Sequence, residues 1–203
     1  MYKKNNVIIS SFKSSLIASC QPLPQGPLDT PSFVLASAKA SIIGGAKGLR
    51  IEGFKNLKII KKNINLPVIG IKKRVSKKYP IIITPLLSDV EKLSELGAEI
   101  IAFDSTLRER PYSVKSLISK IHSYKKIAMA DCSSIKDAIN AIDNGADILS
   151  TTLSGYTNEK LPPKNPDFKL LDQLIKKFKV PIIAEGRFNT PIFYKKAINL
   201  GAH

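Results

Sequence analysis

The chain has no tryptophan, and only two cysteines, two methionines and two histidines in 203 residues. Cys20 and Cys132 stand far apart, in no metal-ligand spacing, so they read as reduced thiols and supply neither a zinc site nor a disulfide framework. His122 falls in a helical pattern and His203 is the last residue, and neither has an evident reason to pair with a cysteine nucleophile. Nothing approaches a membrane span in length, and the "VII" near the start is too short for a secretory signal core. A soluble, cytoplasmic protein with no membrane partner is expected. No G-x-G-x-x-G follows the first apolar run, so a dinucleotide site lacks its fingerprint.

Acidic residues are scarce: 16 against 32 basic ones, for a net charge of +16. All but five of the basic residues are lysines, and they are scattered without a basic tail or an aromatic-interleaved motif. That distribution reads as a solvated surface with weak, salt-sensitive polyanion binding, not as a specific nucleic-acid interface. The arginines are more telling, because four of the five sit beside apparent strand ends.

What is present is a repeat. "GGAKGLRIEG", "ELGAEIIAFD", "DNGADILSTT" and the final "NLGAH" each end a helix-like segment on Gly-Ala, with the glycines at 45, 97, 145 and 201. Glycine just past a helix end serves as a left-handed cap. The intervals of 52, 48 and 56 residues each hold about two βα units, a single crossover needing ~30 residues. Apolar runs at 16–20, 49–53, 67–71, 99–105, 126–132, 147–152 and 181–186 read as parallel strands. Amphipathic segments at 31–45, 54–63, 86–97, 113–124, 134–144, 167–178 and 190–200 read as the helices covering them. "DTPSF" and "NTPIF" supply caps with a proline at the first helical position. "YPIIITP" follows the third strand too closely for a crossover and reads as an extended excursion in its loop.

Seven βα units predict one domain, residues 1–203, of the TIM (β/α)8 barrel class, C-terminally incomplete because the eighth strand is missing; a doubly wound sheet is the alternative. Barrel enzymes work at the carboxyl ends of their strands. Here those ends read Cys20-Gln21, Arg50-Ile51-Glu52, Lys72-Lys73-Arg74, Asp104, Asp131-Cys132-Ser133, Thr151-Thr152 and Glu185-Gly186-Arg187. Strands three and seven both open on a proline, and Lys73 and Glu185 lie at even offsets from Pro67 and Pro181. If the registers match, both side chains share the inward face and meet one substrate from opposite sides. A lysine whose pKa is brought down from ~10.4 serves as a base or forms an imine, and both chemistries fit the spacing. Asp104 and Asp131 have a plainer reading as caps of the following turns, and Cys132 as buried filler.

In order along the chain, "SCQPLPQGPLDTP", "RIEGFKNL", "VIGIKKR", "ITPLLSDV", "MADCSS", "STTLSGYT" and "AEGRFNTP" resemble the N-acetylmannosamine-6-phosphate 2-epimerase family, from about residue 16 to the end. The resemblance implies interconversion of N-acetylmannosamine 6-phosphate and N-acetylglucosamine 6-phosphate in sialic acid catabolism, by proton transfer at carbon 2, without a metal or other cofactor. It places the catalytic lysine on Lys73 and its acid/base partner on Glu185. Gln21, Arg50, Asp131, Gly186 and Arg187 fall on sugar- or phosphate-site positions. Ser105 stands where the family has glycine, and the chain stops at "LGAH", ahead of the family's eighth-strand phosphate segment. Low stability, weak phosphosugar binding and self-association through open edges, as a homodimer, are therefore expectations. The other expectations left open are a different phosphosugar isomerase or aldolase barrel and an inactive truncated member of the family.

Overall fold

A computed structural model describes residues 2–157 and 163–203. Its strands are β1 (Ile17–Cys20), β2 (Gly48–Glu52), β3 (Val68–Ile71), β4 (Ile100–Asp104), β5 (Ile127–Asp131), β6 (Ile148–Ser150) and β7 (Ile182–Ile183). All pair in parallel, in chain order, each with its sequence neighbour. The helices between and after them are α2 (Pro31–Ile43), α3 (Phe54–Asn63), α4 (Leu87–Glu95), α5 (Val114–Ser123), α6 (Ile135–Asp143), α7 (Phe168–Lys177) and α8 (Pro191–Leu200). This is a TIM barrel lacking its eighth strand, and β1 and β7 keep open edges among the described residues.

Alternation along the strands builds two cores. Ile69, Ile71, Ile100, Met129, Ile148 and Ile183 fill the barrel interior. Their sequence neighbours Val68, Ile101, Ala128, Leu149 and Ile182 face the helical layer. The expected caps form: Thr30 and Thr190 accept the N–H groups of Phe33 and Phe193 at 3.3 and 3.2 Å, with Pro31 and Pro191 opening the helices. The excursion after β3 returns as an antiparallel strap, with Lys73 bridged to Ile83, and Ile83 C=O accepts the Asp104 N–H at 3.0 Å.

The Gly-Ala repeat has a structural counterpart. At all four sites the glycine has φ between 94° and 105°, the left-handed region in which a side chain is strained. The residue after each Gly-Ala (Lys47, Glu99, Asp147, His203) donates its N–H to the preceding strand or its lead-in, at Leu16, Val68, Ala128 and Ile182. Glu99 and Asp147 also reach back with their carboxylates to the N–H groups of Val68 and Ala128 at 2.9 and 2.8 Å. Lys61 of α3 and His122 of α5 complete these two turns.

One element is not in the sequence reading, the helix α1 (Tyr2–Ser11). It lacks a strong apolar stripe, and its reason is tertiary. Ile8 and Ile9 pack against the interior cluster, and Phe12 just after it is buried there, closing the amino-terminal end of the barrel. A Cβ on Gly48 would overlap the Phe12 ring, so β2 approaches this plug where it has no side chain. Among the described residues no helix is long and apolar enough to cross a membrane.

Candidate active site

The inward-facing rows of the strands end in polar residues. Arg50 lies opposite Ser19 of β1 and Ile69 of β3 in the ladder. Asp104 lies opposite Asp131, and Asp131 opposite Ser150. Asp104, Asp131 and Ser150 stand two positions past the inward-facing Ala102, Met129 and Ile148, as a period of two requires.

Arg50 is the hub. Its side chain is 2% exposed, and its two terminal nitrogens reach Asp131 at 2.7 and 3.3 Å. The nitrogen farther from Asp131 also meets Glu185 Oε2 at 3.0 Å. Burial alone would lower the arginine's pKa, but the Asp131 and Glu185 carboxylates hold it above the ordinary range. Thr152 Oγ1 lies 2.9 Å from Asp131 and 3.0 Å from Glu185, and Ser150 Oγ donates to Asp131 at 2.8 Å. Arg50 Nε is the one buried side-chain nitrogen or oxygen without a partner among the described residues.

Glu185 lies two residues past the short β7, its backbone N–H held by Thr151 Oγ1 at 3.1 Å. Burial raises its pKa above the usual carboxylate range and Asp131 adds to the rise, with Arg50, Thr152 and Lys73 opposing. Lys73 continues the inward row of Ile69 and Ile71. Solvent reaches its side chain, yet the surrounding protein lowers its pKa, first by desolvation and then by the Arg50 cation; Glu52, Glu185 and Asp131 oppose. Among the described residues its Nζ has no hydrogen bond or ion pair. Lys73, two residues past β3, and Glu185, two past β7, are thus shifted in opposite directions, and each feels the charge of the other and of Arg50.

Gln21 Nε2 donates to Ser19 Oγ at 2.7 Å, beyond the end of β1. Gly186 and Arg187 have φ of 94° and 65°, so the turn after Glu185 is left-handed twice in succession. The Arg187 side chain makes two hydrogen bonds to the loop after β6. It donates to the Ser154 and Asn165 carbonyls at 2.7 and 2.8 Å and stacks on Tyr156, tying that loop to the end of β7. A cavity of about 490 Å³ lies beside the cluster, bordered by Arg50, Glu185, Gly186 and Ser19 and reaching down to Ile69 and Phe12. Its depth comes from the open seam between β1 and β7, so the charged cluster, and not the cavity, marks the site.

The plainer readings are sorted by the same geometry. Asp104 does cap its turn, accepting the Thr106 N–H at 2.9 Å, and it also binds Arg108 at 2.7 Å. Asp131 instead belongs to the cluster. Cys132 is fully buried and burial pushes its thiol up to about 12, which disqualifies it as a nucleophile. Ser150 is absent from the strand-end residues named from the sequence, and Glu52 and Thr152 stand there without a role. Their signal is spacing, Thr152 standing two past Ser150 at the end of β6 and Glu52 two past Arg50, on the inward parity.

Charged groups gathered at the carboxyl ends of parallel barrel strands place the chain among the (β/α)-barrel enzymes. The family described as "Putative N-acetylmannosamine-6-phosphate epimerase" matches residues 34–203. A Pasteurella multocida protein named "Putative N-acetylmannosamine-6-phosphate 2-epimerase" is 44% identical over 196 residues, covering 97% of this chain and 85% of its own. A Klebsiella pneumoniae protein of the same name is 48% identical over 187 residues, covering 92% and 79%. The solved structure of the N-acetylmannosamine-6-phosphate 2-epimerase from Clostridium perfringens superposes with a TM-score of 0.92 at 41% identity, over 96% of this chain and 86% of that one. The chain belongs to the N-acetylmannosamine-6-phosphate epimerase family.

Proposed function

We propose that this chain interconverts N-acetylmannosamine 6-phosphate and N-acetylglucosamine 6-phosphate, with Lys73 and Glu185 as the two proton carriers at carbon 2. What supports the assignment of roles is that Glu185 is anchored on Arg50 at 3.0 Å while the Lys73 ammonium has no partner among the described residues, with their pKa values shifted in opposite directions. Lys73 is lowered toward an amine that can accept a proton, and Glu185 is raised toward a carboxylic acid that can give one. In the ring-opened sugar the C2 hydrogen is acidic because the C1 aldehyde accepts the electron pair. The neutral Lys73 amine takes that proton, the C2–H pair moves into the C2–C1–O1 system, and protonated Glu185 returns a proton to the opposite face of C2. The reverse direction exchanges the two roles, and solvent resets the protons. Arg50 and Asp131 hold Glu185 in place, with Thr152 bridging the two carboxylates.

Substrate binding is read onto Gln21 beside Ser19 and onto the Gly186–Arg187 turn. Among the described residues neither backbone N–H of that turn has a protein acceptor, which leaves both for phosphate oxygens, while the Arg187 side chain braces the turn. The test is incubation with N-acetylmannosamine 6-phosphate in deuterated water. Epimerisation by this route places deuterium at C2 of the product. Turnover without label, or borohydride trapping of Lys73 on the substrate, overturns it.

A further inference from the structure

Residues 72 and 73 are consecutive lysines, and a strand can present only one of them to the barrel interior. Glu52, at the tip of β2, contacts both. Its Oε1 accepts the ammonium of Lys72 at 2.9 Å and the backbone N–H of Lys73 at 3.1 Å. Lys72 also lies over the Phe54 ring, its Nζ 5.8 Å from the centroid, so its charge is paired and its stem held aside. The strap after β3 fixes the same backbone from the other edge: Lys72 C=O accepts the Thr84 N–H at 2.7 Å. One carboxylate oxygen therefore ties up the first lysine and locates the second.

We propose that Glu52 is a positioning residue that sorts the two lysines, holding Lys72 out of the site and setting where the Lys73 amine stands. The inference rests on the reading of Lys73 as the C2 base. The charged groups that bear on the Lys73 amine are Arg50 and Glu52 from β2, Asp131 from β5 and Glu185 from β7. Arg74, next in the chain, is engaged by Asp89 of α4 at 2.7 Å. Glu52 is also an anion that favours the charged amine, so its removal lets burial and Arg50 lower the Lys73 pKa further.

Two variants separate the geometric from the electrostatic part. Glu52→Gln keeps an oxygen for the Lys73 N–H and loses the charge, so the alkaline limb of its pH profile moves down. Glu52→Ala loses both, and kcat falls by ~10–10²-fold with KM little changed, the scale of a misplaced catalytic group. The Lys73 pKa is read without turnover, from the pH dependence of trinitrobenzenesulfonate labelling located by peptide mass spectrometry. A downward shift in Glu52→Gln supports the inference. An unmoved Lys73 pKa in both variants, or a Glu52→Ala enzyme whose kcat stays within ~threefold of the native chain, overturns it. If Lys73→Ala retains activity the assignment of the C2 base fails, and the labelling shift still decides whether Glu52 holds Lys73.

Discussion

Arg50 and Asp131 form a two-pronged ion pair in the barrel mouth, at 2.7 and 3.3 Å, with side chains 2% and 0% exposed. Removing the cation leaves Asp131 buried and uncompensated and frees Glu185 from its 3.0 Å anchor. Arg50→Met is expected to cost about 3–5 kcal/mol, the scale for breaking a buried pair, which for a chain of this size lowers Tm by roughly 10 °C. Arg50→Lys keeps the charge but not the fork, so it recovers part of the stability and little of kcat/KM. Differential scanning calorimetry with steady-state kinetics checks both.

Lys73 and Glu185 should part activity from stability in different ways. The Lys73 ammonium reaches solvent and pairs with nothing among the described residues, and methionine keeps the backbone N–H, so Lys73→Met changes stability by no more than about 0.5 kcal/mol. It nevertheless abolishes proton exchange at C2. Glu185→Gln keeps the shape without the proton and lowers kcat by ~10²–10⁴-fold. Near-native exchange in either variant, followed by NMR in deuterated water, removes that residue from the mechanism.

The pH profile of kcat/KM is expected to be bell-shaped. The productive free enzyme has Lys73 neutral and Glu185 protonated. With the Glu185 pKa below that of Lys73, this form accumulates as pH rises to the Glu185 value, is constant between the two, and declines above the Lys73 value. The acid limb therefore reports Glu185 and the alkaline limb Lys73. Because Glu185 is shifted up and Lys73 down, both limbs lie closer to neutrality than unperturbed groups would place them. A rate that rises steadily to high pH contradicts the assignment.

His122 predicts a pH-dependent contribution to stability. Its hydrogen bond to Asp147 at 2.9 Å raises its pKa above 6.5, against some desolvation. A raised folded-state pKa gives stability that is fully present below the unfolded value and lost as pH climbs through the folded one. The Tm difference between the native chain and His122→Gln should thus be largest in mild acid and shrink from about pH 6.5 upward. A difference independent of pH between 5 and 9 would mean that the imidazole charge plays no part.

Cys132 should be chemically silent. With no exposure and a thiol held near 12, it gives no reaction with Ellman's reagent in the folded protein. Cys132→Ala is expected to leave kcat/KM unchanged, and loss of turnover in a folded variant would restore it as a candidate nucleophile.

The framework was readable because its signals are local. The Gly-Ala turns announce themselves, since each positive φ demands glycine, and seven strands follow from short apolar runs. Lys73 and Glu185 came from counting in twos along strands, which backbone geometry enforces. The α1 helix was not readable, because what holds it is Phe12 entering a barrel assembled from residues far along the chain. The same limit hid Arg187. A lone arginine at a strand end gives no hint that the Ser154 and Asn165 carbonyls will claim it. Glu52 stood in the row of strand ends, but its importance lies in a contact with a neighbouring strand's backbone, which no spacing reveals.

Pairing in chain order makes protection against solvent a matter of place in the row. β4 and β5 share five paired positions, each flanked by another strand, whereas β7 offers β6 only two. Amide protons should therefore exchange with deuterium last in the middle of the sheet and first at its rims, by local opening that leaves the centre folded. Glu185 stands at one rim, Lys73 nearer the middle and Arg50 between the open edge of β1 and β3. Exchange followed by mass spectrometry is therefore expected to label the segment around Glu185 before that around Lys73.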